Sequence, residues 1–221
     1  MEEQNRMLAD IQERHPGRFT FFFSIDPRKD EAVEMCGKAV GEWGASGLKF
    51  HSVVGYFPTD KEVYTLLEIA REAELPVLFH SGNFMPPFRE ECAHPSYIAK
   101  AASDFPEVSF IAAHMGFKWW RELMELAKQR DNLMCDFSAW QTVAQENYGQ
   151  FRHILRKALD AFGSERVLFG TDGPALDTEM SRVEWVKIVE ALIEPHEGGS
   201  KFTQDEVEAM LEGNAKRVLG L

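Results

Sequence analysis

A chain of 221 residues with 44% hydrophobic content can bury one sizeable core, and no shift of composition marks a boundary, so one domain over residues 1–221 is expected. A formal charge of −12 and a pI near 5.1 leave no basic patch for phosphates, which argues against nucleic acid and anionic membranes and for a small-molecule substrate. The three cysteines are scattered without a CxxC, there is no signal peptide, and no apolar run has the length to span a bilayer, so the cytoplasm is the expected compartment.

The chain opens on a polar helical segment, Met1 to Arg14, which leads through His15-Pro-Gly-Arg-Phe into a first predicted strand at Phe19–Ile25. A second strand is expected at Gly47–Val53, where Lys49 and His51 lie two apart and share one face, with Leu48 and Phe50 on the other. Thr59 and Glu62 have capping-box spacing before a helix whose Val63, Leu66, Leu67 and Ala70 recur at helical intervals. Further strands are expected at Pro76–Ser81, Val108–His114, Leu133–Ser138 and Arg166–Thr171, each separated from the next by roughly the length of a β/α unit, about 30 residues. Thr203 and Glu206 repeat the capping-box spacing before a last helix with Val207, Met210 and Leu211, and the chain closes on Asn214-Ala-Lys-Arg-Val-Leu-Gly-Leu.

Alternating strands and helices imply a parallel sheet with right-handed crossovers, as a doubly wound sheet or a barrel. Three of the apolar runs end on a metal-capable or proton-transferring side chain, namely His80, His114 and Asp172. Groups at several separate strand ends favour the barrel, which carries its chemistry there. For each of these residues a plain structural role competes: a core imidazole bonded to a backbone carbonyl for His80 and His114, and a cap on the Asp-Gly-Pro turn for Asp172. Loops after strand ends build barrel pockets, so Phe84, Phe88, Arg89, His94, Trp119, Trp120 and Trp140 are candidates for an aromatic wall, with Arg89 or Lys118 as a carboxylate partner. The alternative is that the tryptophans pack helices onto the barrel. His15, His153 and His196 read as surface residues, and Glu194 to Glu197 as a solvated loop.

In order, Gly47-Leu-Lys-Phe-His51, Leu75-Pro-Val-Leu-Phe-His80-Ser-Gly, His94-Pro, Ala113-His114-Met-Gly116, Asn132-Leu-Met-Cys-Asp136-Phe-Ser138, Leu168-Phe-Gly-Thr-Asp172-Gly-Pro174 and Asn214-Ala-Lys-Arg run over nearly the whole chain. Together they resemble the amidohydrolase-related branch of the amidohydrolase superfamily, which includes non-oxidative decarboxylases. The resemblance implies a distorted (β/α)8 TIM barrel and one divalent metal, zinc or alternatively manganese. It implies that His80 and Asp172 are metal ligands, that Asp172 also carries the proton, and that His114 is the catalytic histidine, polarising a carbonyl under attack by metal-activated water. Lys49 either lines the pocket or, as in other branches, is carboxylated to bridge two metals; His51 supports the site beside it. Lys49, His51, Arg89, Trp119 and Trp140 form the expected substrate-binding set.

The chain departs from that pattern in one respect. The resemblance implies two further metal ligands in a His-x-His on the first strand, but the chain contains no His-x-His and the segment that should carry it, with the first two strands, is missing, so about six of eight β/α units are expected, incomplete at the N-terminus. A truncated product, a misassigned start and a shortened relative are all consistent with this. Phe19-Thr-Phe-Phe-Phe-Ser-Ile would then form an apolar sheet edge, and a homo-oligomer is expected from it. The leading function is a metal-dependent hydrolase of a small, carboxylated or cyclic substrate. A metal-dependent decarboxylase of an aromatic or unsaturated acid and a catalytically silent relative are the alternatives.

Overall fold

Six short parallel strands, each followed by helix, form one sheet whose spatial order is the order of the sequence. A computed structural model describes residues 2–196 and 199–221. Helix α1 (Glu2–Arg14) precedes β1 (Phe22–Ser24), and α2 (Ala32–Gly41) leads to β2 (Gly47–Phe50). The chain continues through α3 (Lys61–Glu72), β3 (Val77–Phe79), α4 (Pro95–Asp104), β4 (Phe110–Ala112), α5 (Trp120–Ala127) and β5 (Leu133–Asp136). Helices α6 (Gln141–Glu146) and α7 (Tyr148–Phe162) precede β6 (Val167–Leu168), after which come α8 (Arg182–Glu190), α9 (Gln204–Glu208) and α10 (Asn214–Leu219). Among the described residues this is a (β/α)8 barrel architecture with six of the eight units. No described helix is long and apolar enough to cross a membrane.

All six expected strands are present, and each is shorter than its apolar run. The runs extend past the last ladder position because the residues beyond it, such as His80 and His114, turn into the loops that carry the site. Strand residues alternate between two layers, as the period of two requires. Phe23, Leu48, Phe50, Val77, Phe79, Phe110, Leu133 and Val167 pack outward in the large core under the helices. Ile111, Met134 and Leu168 form a second, smaller cluster on the inner face, joined by Leu78 and by Ala215 and Val218 of α10. In the outer layer Phe50 stacks on Phe79 with ring centroids 4.9 Å apart, and Phe79 on Phe110 at 6.2 Å. The register sets this ladder by pairing Phe50 with Phe79, and each contact adds about 0.5–1.5 kcal/mol beyond burial.

Both sheet edges are closed by side-chain amides. Asn5 of α1 donates to the Ser24 carbonyl at 2.8 Å and accepts from the Ser24 N–H at 3.0 Å, which reproduces a strand partner. Gln12 accepts from the Phe21 N–H at 3.1 Å and donates to the Gly44 carbonyl at 2.9 Å. At the other edge Asn214 donates to the Val167 carbonyl at 2.8 Å and the Ser164 carbonyl at 2.7 Å, while the Phe169 N–H is taken by the Met210 carbonyl. The open apolar edge expected at Phe19–Ile25 is therefore not present, because helix α1 covers it; Phe21, Phe23 and Ile25 are buried and only Phe19 is well exposed.

One capping box is as expected and one is not. Thr203 and Glu206 satisfy each other's backbone N–H groups at the start of α9. At α3 the residue before the helix is Asp60 rather than Thr59, and its carboxylate accepts from the Phe57 N–H of the preceding turn instead of capping. His15, His153 and His196 are exposed, as are Glu194 and Pro195; Met1 and Glu197 lie outside the described residues.

Candidate active site

The inward face of the sheet opens into a cavity of about 530 Å³ at the C-terminal strand ends. Its apolar walls include Leu78, Ile111, Leu168 and Phe169, and α1 and α10 contribute Leu8, Val218 and Leu219. Its polar groups converge from five strands: Ser24 from β1, Lys49 from β2, His114 from the exit of β4, Asp136 and Ser138 from β5 and its exit, and Asp172 beyond β6. The alternation that puts Leu48 and Phe50 against the helices turns Lys49 inward.

His114 sits where the backbone leaves the usual regions. His114, Met115, Gly116 and Phe117 have φ of 61°, 47°, 73° and 43°. Left-handed non-glycine residues each cost about 1–3 kcal/mol and persist only where surroundings fix them. Here both backbone groups of His114 are fixed by side chains. Its N–H donates to Asp136 Oδ1 at 3.0 Å, and its carbonyl accepts from Trp140 Nε1 at 2.7 Å. Ala139 and Asp172, at the exits of β5 and β6, are also left-handed, with φ of 63° and 52°. The backbone strain thus gathers at the end of the barrel that holds the polar groups.

The imidazoles form a row. His51 and His80 have ring centroids 4.9 Å apart, as do His80 and His114. His114 Nε2 lies 3.2 Å from His80 Nδ1, and His114 Nδ1 lies 2.8 Å from Ser138 Oγ and 3.3 Å from the Ser138 carbonyl. Ser138 Oγ in turn lies 2.5 Å from Asp136 Oδ1, which also accepts from the Ser138 N–H at 2.9 Å. His80 Nε2 is buried and has no hydrogen-bond partner among the described residues. Phe84 packs edge-on against both His51 and His80 at 5.3 Å, and Phe117 stacks on His114 at 5.0 Å. That stack requires Gly82, since a Cβ there would come within 2.6 Å of the Phe117 ring.

Burial sets the charges. It pushes His80 down to about 2, helped by the neighbouring His114, His51 and Lys49, and it also lowers His51 and His114. All three rings are neutral near pH 7. Burial brings Lys49 down to about 8 against the opposing pull of Asp136 and Asp172, so it remains mainly an ammonium at pH 7.

The expected site residues divide. Lys49, His114 and Asp172 line the cavity, and His80 touches His114 from beneath Phe84. His51 stands beside His80, outside the cavity wall. Trp140 is a backbone anchor for His114 rather than a wall. Arg89 is exposed and paired with Glu91, and Lys118 is paired with Glu90, so neither carboxylate partner reaches the cavity. Trp119 packs against His94, whose Nε2 meets Glu122 at 3.2 Å, and belongs to the loop scaffold. The Asp-Gly-Pro turn is held by Thr171, whose hydroxyl accepts from the Gly173 N–H, which leaves the Asp172 carboxylate out of the turn's hydrogen bonding. For Asp136 and Ser138 the sequence offers a single signal, their spacing of two at a strand end, which places them on one face.

The donors fall short of a zinc site. His80 offers one unpartnered imidazole nitrogen and Asp172 a carboxylate, but a catalytic zinc takes about three protein ligands. Among the described residues no group of three or more His, Cys, Asp or Glu side chains is placed to hold a metal ion.

The family profile described as Amidohydrolase matches residues 1–221. No curated protein matches the chain. Among solved structures, an uncharacterised TIM-barrel protein from Bordetella bronchiseptica superposes with a TM-score of 0.76 at 21% identity, covering 98% of this chain and 72% of that one. An amidohydrolase from Burkholderia multivorans, with bound HEPES, gives 0.76 at 18% identity over 100% of this chain and 80% of its own. The 5-carboxyvanillate decarboxylase of Novosphingobium aromaticivorans, complexed with manganese and 4-hydroxy-3-methoxy-5-nitrobenzoic acid, gives 0.74 at 15% identity over 99% and 69%. At these identities the superpositions show a shared fold and nothing finer.

Proposed function

The chain belongs to the amidohydrolase family, and from that premise we propose that it is an enzyme that releases carbon dioxide from a small, ring-bearing carboxylic acid. The observation that carries the reading is the convergence of one cation and one acid–base pair, Lys49 with His114 and Asp172, beside Asp136 and Ser138, on the wall of a cavity whose lining is mostly apolar. The ring seats among Leu78, Ile111, Leu168 and Phe169, and the Lys49 ammonium takes an anionic oxygen of the substrate. An apolar wall disfavours a carboxylate and is indifferent to neutral carbon dioxide. As the bond to the carboxyl carbon breaks, its electron pair stays on the ring carbon, which takes a proton relayed from solvent through Asp172. The relay is open to water because Asp172 is exposed. His114, neutral and beside the substrate, holds a ring hydroxyl. The aromatic acid bound in the Novosphingobium relative supports this substrate class. No step is routed through a metal, because the residues present do not complete a site for one.

Hydrolysis of a C–N, C–O or lactone bond is the second reading, favoured by the open position of Asp172, which can take a proton from an attacking water. A panel of carboxyl-13C hydroxybenzoates followed by mass spectrometry of released carbon dioxide, run beside lactone and amide panels in a pH-stat, separates the two. The expected result is carbon dioxide from a hydroxybenzoate, reduced by about 10²–10⁴-fold in Asp172→Asn and with raised KM in Lys49→Met. Base uptake with lactones and no carbon dioxide would replace the first reading by the second, and inertness to every panel would point to a catalytically silent relative.

A further inference from the structure

We infer that Asp136 and Ser138 are positioning residues that hold His114, and through it His80, as the tautomer with the proton on Nδ1, so that His114 meets the cavity as a proton acceptor and not as a donor. Asp136 Oδ1 receives two backbone N–H groups, from His114 and Ser138, and these can only donate. Its third and shortest contact, with Ser138 Oγ, is then a hydroxyl donation to the same acceptor. With its single proton committed to Asp136, Ser138 Oγ faces His114 Nδ1 at 2.8 Å as an acceptor, and the Ser138 carbonyl, 3.3 Å from the same nitrogen, is an acceptor as well. Two acceptors on Nδ1 place the proton there. A neutral ring then has a bare Nε2, and its contact with His80 Nδ1 at 3.2 Å is a donation from His80. The chain of bonds ends on His80 Nε2, which has no partner and on this reading carries only a lone pair.

The opposite orientation fails at two points. It would set a bare Nδ1 against the Ser138 carbonyl, and it would bury an unpaired N–H on His80 Nε2. The consequence for the chemistry rests on the reading of His114 as a residue of the reaction. A proton leaving a substrate hydroxyl or a water goes to His114 Nε2 in place of the His80 donor. Nδ1–H stays on Ser138, and Asp136 stabilises the resulting imidazolium through the serine hydroxyl. The expected role of His114 as a group that polarises a carbonyl needs a donor at Nε2 and does not fit this arrangement.

The test is the 15N spectrum of histidine side chains in EDTA-treated protein labelled with [15N]histidine, with signals assigned by their loss in His114→Gln and His80→Gln. It reads tautomers without turnover, so it stands or falls separately from the proposed activity. The expected wild-type result is protonated Nδ1 and bare Nε2 on both rings. In Ser138→Ala the His114 signals should move toward the Nε2–H form, with the unlabelled remainder of the fold unchanged by circular dichroism. A protonated Nε2 on His114 in the wild type, or identical His114 signals in wild type and Ser138→Ala, would overturn the inference; if Ser138→Ala does not fold, the wild-type spectrum alone decides.

Discussion

Lys49 carries an electrostatic cost that shows in stability. Its ordinary value is 10.5 and burial holds it near 8, so between those values the unfolded chain binds a proton that the folded chain has released. Stability therefore rises with pH through that window, and below about 8 the fold carries the full penalty of keeping an ammonium in the cavity. Lys49→Met should be more stable than the wild type at pH 7, and the difference between their guanidinium midpoints should shrink from pH 8 toward pH 10. A pH-independent difference would mean that Lys49 is solvated. His114 carries its cost in the backbone: four successive left-handed residues are tolerated because Asp136 and Trp140 hold both of its peptide groups.

At the level of elements, short strands depend on what covers their ends. Strand β6 spans only Val167–Leu168, and its free carbonyl is satisfied by Asn214, a buried side chain at the start of α10. Asn214→Ala would strip hydrogen bonds from two carbonyls at once, with an expected loss of about 1–3 kcal/mol for each group left buried and unpaired. The measurement is a guanidinium unfolding curve, and a change below about 0.5 kcal/mol, as for an ordinary surface substitution, would show that water replaces the amide. Helix α10 has a second function, since its Ala215 and Val218 cover the inner apolar cluster and its Val218 and Leu219 face the cavity. One helix thus closes an edge, completes a small core and walls the candidate site.

For the whole molecule, the number of strand ends that reach the cavity determines which chemistry can be assembled. Four of them deliver Lys49, His114, Asp136 with Ser138, and Asp172, enough for an acid–base site in an apolar chamber. Among the described residues they do not deliver three metal donors together. The purified 221-residue chain should therefore retain well under one equivalent of zinc or manganese after dialysis, by elemental analysis. One full equivalent, lost in His80→Ala, would show that the site closes around a metal in solution.

The sequence by itself determined the succession of six strands, the inward turn of Lys49 and the placing of His80, His114 and Asp172 at strand ends. These follow from local rules: a period of two, a period of 3.6, and apolar runs that stop on a polar residue. Which of the candidates share a cavity was decided only in three dimensions. Arg89, Trp119 and Trp140 all stand in the segments that follow site strands, yet the first two end in surface pairs and loop packing while the third anchors His114. Asp136 and Ser138 gained their place through His114, 22 and 24 residues away, and Asn5 closed an edge 19 residues distant. Such contacts depend on the direction in which each chain leaves its strand, set by left-handed turns and packing against other elements, and no local pattern in the sequence encodes that direction.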